Sequence, residues 1–111
     1  MVKVFEQGDI IWLNFTPQAG HEQMGRRPAI VVSRTMFNRT NSMTMVCPIT
    51  HMDRKSPLHI KLDERTRTDG FILCDQCRMM DIAARNAEFI EQAPDDLLAE
   101  AIDIIIGIIE L

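Results

Sequence analysis

Between Gly20 and Pro28 the chain places His21, Glu22, Gln23, Arg26 and Arg27 in one short loop. An imidazole, a carboxylate and guanidinium groups at this density suit cleavage of a phosphate ester without help from a metal. They offer groups that take and give protons, and a fixed cation for a charged transition state. Arg27 precedes Pro28, whose ring narrows the backbone choices of the residue before it. From that restricted position its guanidinium could clamp a phosphate through paired N–H bonds, or it could be a surface side chain bonding a turn carbonyl. His21 and Glu22 are adjacent, and adjacent side chains in extended chain point to opposite sides. Both serve one site only if the loop bends; otherwise each is a solvated loop residue.

Further along, Asp75 and Gln76 interrupt an otherwise apolar segment. A carboxylate there could take a proton from a ribose hydroxyl and a carboxamide could read a base edge. The competing reading is a bulge or turn in which Asp75 pairs with Arg78. Arg54 lies in a charged stretch, 52–57, that could cover a groove. Cys74 and Cys77 form a C-x-x-C pair, with Cys47 elsewhere. On a strand, residues three apart point to opposite faces, and no second ligand pair accompanies them. Buried or half-buried thiols are therefore expected rather than a zinc site or a redox motif.

The elements that must hold these groups are short. Residues 8–15 alternate loosely and read as a strand, broken by Thr16-Pro17-Gln18-Ala19-Gly20. The β-branched run at 28–33 reads as a buried second strand that would hold the polar loop on a rigid element. A polar connection at 36–41, with a short helical turn, leads to a strand over 43–49 that stops at Thr50. A threonine at a strand end is ordinarily a turn residue, though its hydroxyl can project toward a neighbouring loop. Residues 59–62 read as a half-exposed strand, and 70–74 as another that kinks near Asp75 and continues over 77–82. Short strands at regular spacing suggest a small barrel. Pro94-Asp95-Asp96 then starts a helix whose apolar stripe, Leu97, Leu98, Ala101, Ile102, Ile105, Ile108 and Ile109, is widened by Ile104 and Ile106. That helix packs on its own barrel, and its surplus face could also meet a second subunit.

At 111 residues the chain is read as one domain over 1–111. No apolar run approaches the roughly 18 residues of a membrane span, and residues 1–7 lack the apolar region of a signal peptide, so a cytoplasmic protein is expected. Three cysteines, an odd count, point to reduced thiols. A net charge of −4 argues at first against a nucleic-acid ligand. Its distribution argues otherwise. Residues 1–85 hold all twelve Lys and Arg against nine acids, a net of +3, and residues 86–111 hold seven acids and no base, a net of −7. If the acidic tail packs away from the site loop, the remaining face can still attract a polyanion.

With Gly8-Asp9-Ile10-Ile11-Trp12 ahead of the loop, Pro48-Ile49-Thr50 after it and Asp75-Gln76-Cys77-Arg78-Met79-Met80-Asp81 later, the sequence resembles the MazF/PemK family of toxin endoribonucleases. Its Gly-His-Glu-Gln form is similar to the PemK/ChpB branch. The resemblance implies a mainly β fold with a C-terminal α-helix, a small SH3-like β-barrel of the MazF/PemK/CcdB toxin type. It implies sequence-specific cutting of single-stranded RNA without cofactor or metal, leaving 2′,3′-cyclic phosphate and 5′-hydroxyl ends. Arg27, Thr50, Glu22, His21 and Asp75 take the catalytic roles, and Gln23, Arg26, Gln76, Arg78 and Arg54 the RNA-binding ones. A homodimer is implied, with an antitoxin whose acidic and apolar tail fills the RNA groove, and with operator DNA reached only through that antitoxin. Some relatives carry a general-acid arginine two residues before the aspartate; here that place is Leu73, which puts an arginine-acid, aspartate-base scheme in doubt. The alternatives are a non-catalytic toxin of the same fold that binds DNA gyrase, and a co-repressor that acts only with its antitoxin.

Overall fold

Apolar residues follow one another along the central strands, and the fold buries them from both sides. The computed structural model describes residues 3–16 and 25–111. His21, Glu22 and Gln23 lie outside that range. The strands are β1 (Asp9–Asn14), β2 (Arg26–Val31), β3 (Thr44–Thr50), β4 (His59–Lys61), β5 (Phe71–Leu73), β6 (Arg78–Met80) and β7 (Glu88–Gln92), with helices α1 (Thr35–Thr40) and α2 (Asp95–Ile109). They pair antiparallel in the order β4-β5-β3-β2-β1-β7, and β6 joins β3 on the edge that β5 also uses. Among the described residues the path stays open between β4 and β7, so the sheet is barrel-like rather than closed.

Alternation sorts the side chains. Ile10, Ile30, Cys47, Ile49, Ile60 and Ile72 face α2, where Leu97, Ala101 and Ile105, spaced four apart, complete one core. Ile11, Leu13, Ala29, Val31 and Val46 face the other way, against Phe5, Phe15, Met80 and Ile82. Burial of each large aliphatic side chain stabilises the fold by about 1.5–3 kcal/mol. The helix begins where expected, with Pro94 at its N-cap and Asp95 and Asp96 in its first turn. Its surplus apolar residues Ile106, Ile108 and Ile109 remain exposed in the single chain. No helix among the described residues is long and apolar enough to cross a membrane.

Two departures from the sequence reading matter. Strand β7 is absent from it, because Glu88-Phe89-Ile90-Glu91-Gln92 has no fully buried residue: Phe89 is exposed, Ile90 alone packs partly against the core, and the strand pairs with β1. The kink at Asp75 is a full 3-10 turn, Cys74–Gln76, which shifts the partner of β3. The β6 ladder runs Thr44–Met80, Met45–Met79, Val46–Arg78, and the β5 ladder runs Ile49–Ile72, Thr50–Phe71. The turn supplies the three-residue offset between them. The two thiols of the C-x-x-C pair therefore do not sit on opposite faces of one strand, because the turn lies between their strands.

Candidate active site

Pro28 has no N–H to give to a ladder, and the β2–β3 pairing ends at Ala29–Pro48. The same register continued by two residues sets Arg27 opposite Thr50. Arg27 also faces Leu13 across β1, Thr50 faces Phe71 across β5, and Phe71 faces Lys61 across β4. Opposed residues share a face. The sheet thus carries a transverse row of Leu13, Arg27, Thr50, Phe71 and Lys61, with a cation and a hydroxyl at its centre.

Thr50 is 6% exposed, and its Oγ1 accepts the Met52 N–H at 3.4 Å. That is the turn role a threonine at a strand end ordinarily takes. The bond uses an oxygen lone pair and leaves the O–H available as a donor. Behind Thr50, Gly70 approaches so closely that a Cβ there would lie 2.4 Å from the Thr50 carbonyl oxygen, at a φ of +121°.

One pleat repeat along, about 7 Å, His59 and Leu73 pair on the same face. Asp75 reaches this second row, its Oδ1 accepting from His59 Nε2 at 2.9 Å. The imidazole is 5% exposed and the carboxylate 40%. His59 Nδ1 is buried and has no hydrogen-bond partner among the described residues. Sequence reasoning missed His59, Lys61 and Phe71. The alternation of 59–62 was the available signal, since it sends His59 and Lys61 to one face.

The other expected RNA contacts are dispersed. Arg26 lies on the opposite face, donating to the Asn86 carbonyl at 2.8 Å and to Glu88 at 3.1 Å, with its guanidinium 6.0 Å from the Trp12 ring centroid. Gln76 ends the 3-10 turn, half-buried Arg78 opposes Val46, and exposed Arg54 lies in the loop between β3 and β4. The acidic tail is not segregated from the basic part of the chain. Besides Glu88 on Arg26, Asp96 pairs with Arg65 at 2.8 Å, and Glu91 accepts the Arg67 and Thr68 N–H groups and the Thr68 hydroxyl.

Burial pushes the Glu91 carboxyl up, but these hydrogen bonds outweigh it and hold the group below its usual range. Glu91 thereby fixes the 66–69 loop, one wall of a cleft of about 290 Å³ shared with Trp12, Pro28 and His51. A depressed carboxylate stabilises the fold above its unfolded pKa and loses that contribution as pH falls through its folded pKa. Glu91→Gln should cost about 1 kcal/mol at neutral pH, or roughly 4–8 °C in melting midpoint. Thermal melts of variant and parent should converge on acidification. No group of three or more His, Cys, Asp or Glu among the described residues could hold a metal ion.

Residues 6–108 match the family described as PemK-like, MazF-like toxins of type II toxin–antitoxin systems. The endoribonuclease toxin ChpB of Escherichia coli (strain K12) is 42% identical over 106 residues, covering 88% of each chain. MazF from Deinococcus radiodurans matches with a TM-score of 0.92 at 38% identity, covering 98% of this chain and 99% of its own. A MazE–MazF structure from the same organism gives 0.86, also at 38% identity, covering 98% of each chain.

Proposed function

The chain belongs to the PemK-like, MazF-like toxins of type II toxin–antitoxin systems, and on that premise we propose that it is an endoribonuclease whose Arg27–Thr50 pair holds the scissile phosphate of single-stranded RNA. One observation carries this reading: the β2–β3 ladder ends at Ala29–Pro48, two residues short of Arg27 on one strand and of buried Thr50 on the other. The ribose 2′-oxygen attacks the adjacent phosphorus and the bond to the 5′-oxygen breaks, leaving a 2′,3′-cyclic phosphate and a 5′-hydroxyl. Glu22 or Asp75 takes the 2′ proton, and His21 assists the leaving oxygen. A guanidinium does not release its proton in proteins, so Arg27 acts by charge and paired hydrogen bonds. Thr50 donates its hydroxyl to a phosphate oxygen. The scheme uses no metal or other cofactor.

Unpaired RNA fits because its splayed bases can be read by groove side chains. Gln23, Arg54, Gln76 and Arg78 are assigned to that reading, whereas Arg26, on the opposite face and bonded to Asn86 and Glu88, could meet RNA only outside the Arg27–Thr50 row. The MazE–MazF likeness supports a cognate antitoxin as partner; that operator DNA is reached only through it is part of the proposal. Exposed Phe37 and Met79 line an apolar groove of about 340 Å³ that also takes in Val32, Met45 and Ile102. That groove is assigned to the homodimer interface.

Incubation of the purified chain with single-stranded RNA in EDTA tests the proposal. Cleavage giving 5′-hydroxyl ends supports it; 5′-phosphate ends exclude the 2′-oxygen as nucleophile, and intact RNA with gyrase inhibition replaces the enzyme with a binding module. Thr50→Ala should slow cleavage by about 10–100-fold, the order expected for one hydrogen bond to a charged oxygen. Thr50→Ser should retain most of the rate, read as fragment yield against time.

A further inference from the structure

We infer that Cys77 and Cys47 are an oxidisable pair, which hydrogen peroxide converts to an intramolecular disulfide that clamps the turn carrying Asp75 and Gln76. The partner change on β3 puts them together. The β3–β6 register continued by one residue sets Cys47 opposite Cys77, and the β3–β5 register continued by two sets Cys47 opposite Cys74. The two ladders converge on one thiol because the 3-10 turn supplies their offset. Cys47 and Cys74 are buried in one core cluster, and half-buried Cys77 packs against it. Opposed residues in antiparallel strands have Cα atoms about 4.5–5.5 Å apart, within the roughly 4.4–6.8 Å that a disulfide spans.

The three free thiols are not equivalent. Cys47 and Cys74 are buried and Cys77 is half-buried. The Cys74 S–H is directed at the Ile72 carbonyl, 3.9 Å away. Cys77 is thus the sulfur an oxidant reaches. Its hydrogen bond with Cys47 holds its thiol below the usual range, whereas hydrogen bonds with its neighbours and then burial push Cys47 up. The Cys77 thiolate attacks a peroxide oxygen, the O–O bond breaks, and one proton is taken up as water leaves, giving a sulfenic acid. The Cys47 sulfur then attacks the Cys77 sulfur, its proton goes to the departing hydroxyl, and a second water leaves as the S–S bond forms. Two thiols are oxidised and one peroxide is reduced to two waters.

An S–S bond of about 2.05 Å is far shorter than a thiol–thiol contact, so closure draws Cys77 toward β3, together with Gln76 and Asp75. A displacement of about 1 Å in a reacting constellation can cost about 10²-fold in rate. This consequence rests on the proposed RNA cleavage; the bond itself does not.

Purified full-length chain is treated with hydrogen peroxide, digested without reductant and mapped by mass spectrometry, with hydrogen exchange and RNA cleavage followed in parallel. The expected result is a Cys47–Cys77 cross-link, slower exchange over 74–78 and at least tenfold slower cleavage, all reversed by dithiothreitol. Cys77→Ser should prevent the cross-link and Cys74→Ser should not. Three free thiols after treatment, a bond to Cys74, bonds between chains, or over-oxidised Cys77 with no cross-link overturns the inference. So does a cross-link that leaves both exchange and cleavage unchanged. If the reduced chain cuts no RNA, the functional reading fails, and the cross-link and exchange still decide the thiol pair.

Discussion

Replacing Arg27 with alanine should reduce RNA cleavage by about 10³-fold or more, the loss seen when a fixed donor or cation is taken from a developing oxyanion or phosphoryl charge. Arg27 is half-buried at the edge of β2, between Leu13 and the position of Thr50. Its loss removes charge from the site without opening either core, so the melting midpoint should stay within a few degrees of the parent. Arg27→Lys should recover little. An ammonium on a flexible stem cannot reproduce the planar, two-pronged grip of a guanidinium on phosphate. Initial rates on single-stranded RNA, with circular dichroism melts of the same preparations, separate lost chemistry from lost fold. A tenfold effect or less for Arg27→Ala would remove Arg27 from the transition state.

Gly70→Ala should produce the largest structural effect and carry activity with it. The added methyl would sit 2.4 Å from the Thr50 carbonyl oxygen and 2.9 Å from its carbonyl carbon, and the backbone φ of +121° strains any L residue. Overpacking and strain together should cost about 3 kcal/mol, or on the order of 10–20 °C in melting midpoint. The colliding atoms are backbone, so no side chain can swing aside to relieve the clash. The movement falls on β3 at Thr50 and on the Thr50–Phe71 pairing. The folded fraction should therefore cleave more slowly than the parent even well below its melting point. A variant with parental midpoint and rate would show that the strands separate there without cost.

Much of this fold was legible because burial on both faces leaves a plain signal. The apolar runs behind Arg27 and around Val46 could hardly be anything but central strands, and the Leu97, Ala101 and Ile105 part of the α2 stripe packs inward as its spacing implies. Strand β7 was not legible, because Phe89 is exposed and both of its glutamates are bound to arginine- or threonine-bearing segments far away in sequence. The candidate site was half legible. Residue types and motifs picked out Arg27 and Thr50, yet no periodicity sets them opposite one another; that takes the β2–β3 register, which local sequence does not encode. His59 was overlooked for the same reason, since its partner Asp75 arrives on a turn whose position depends on the offset between two ladders. The thiols are buried or half-buried as expected, but the facing rule for a continuous strand does not apply to Cys74 and Cys77, because a 3-10 turn lies between their strands.

The β2–β3 ladder ends at Ala29–Pro48, and Pro28, the next residue of β2 toward Arg27, lacks an amide hydrogen as Pro48 does. The two strand tips beyond them are consequently unzipped by composition. If RNA is cut there as proposed, a sugar–phosphate backbone would enter such a notch without first breaking a main-chain bond, and the cost of opening the jaws would be met on folding rather than at each turnover.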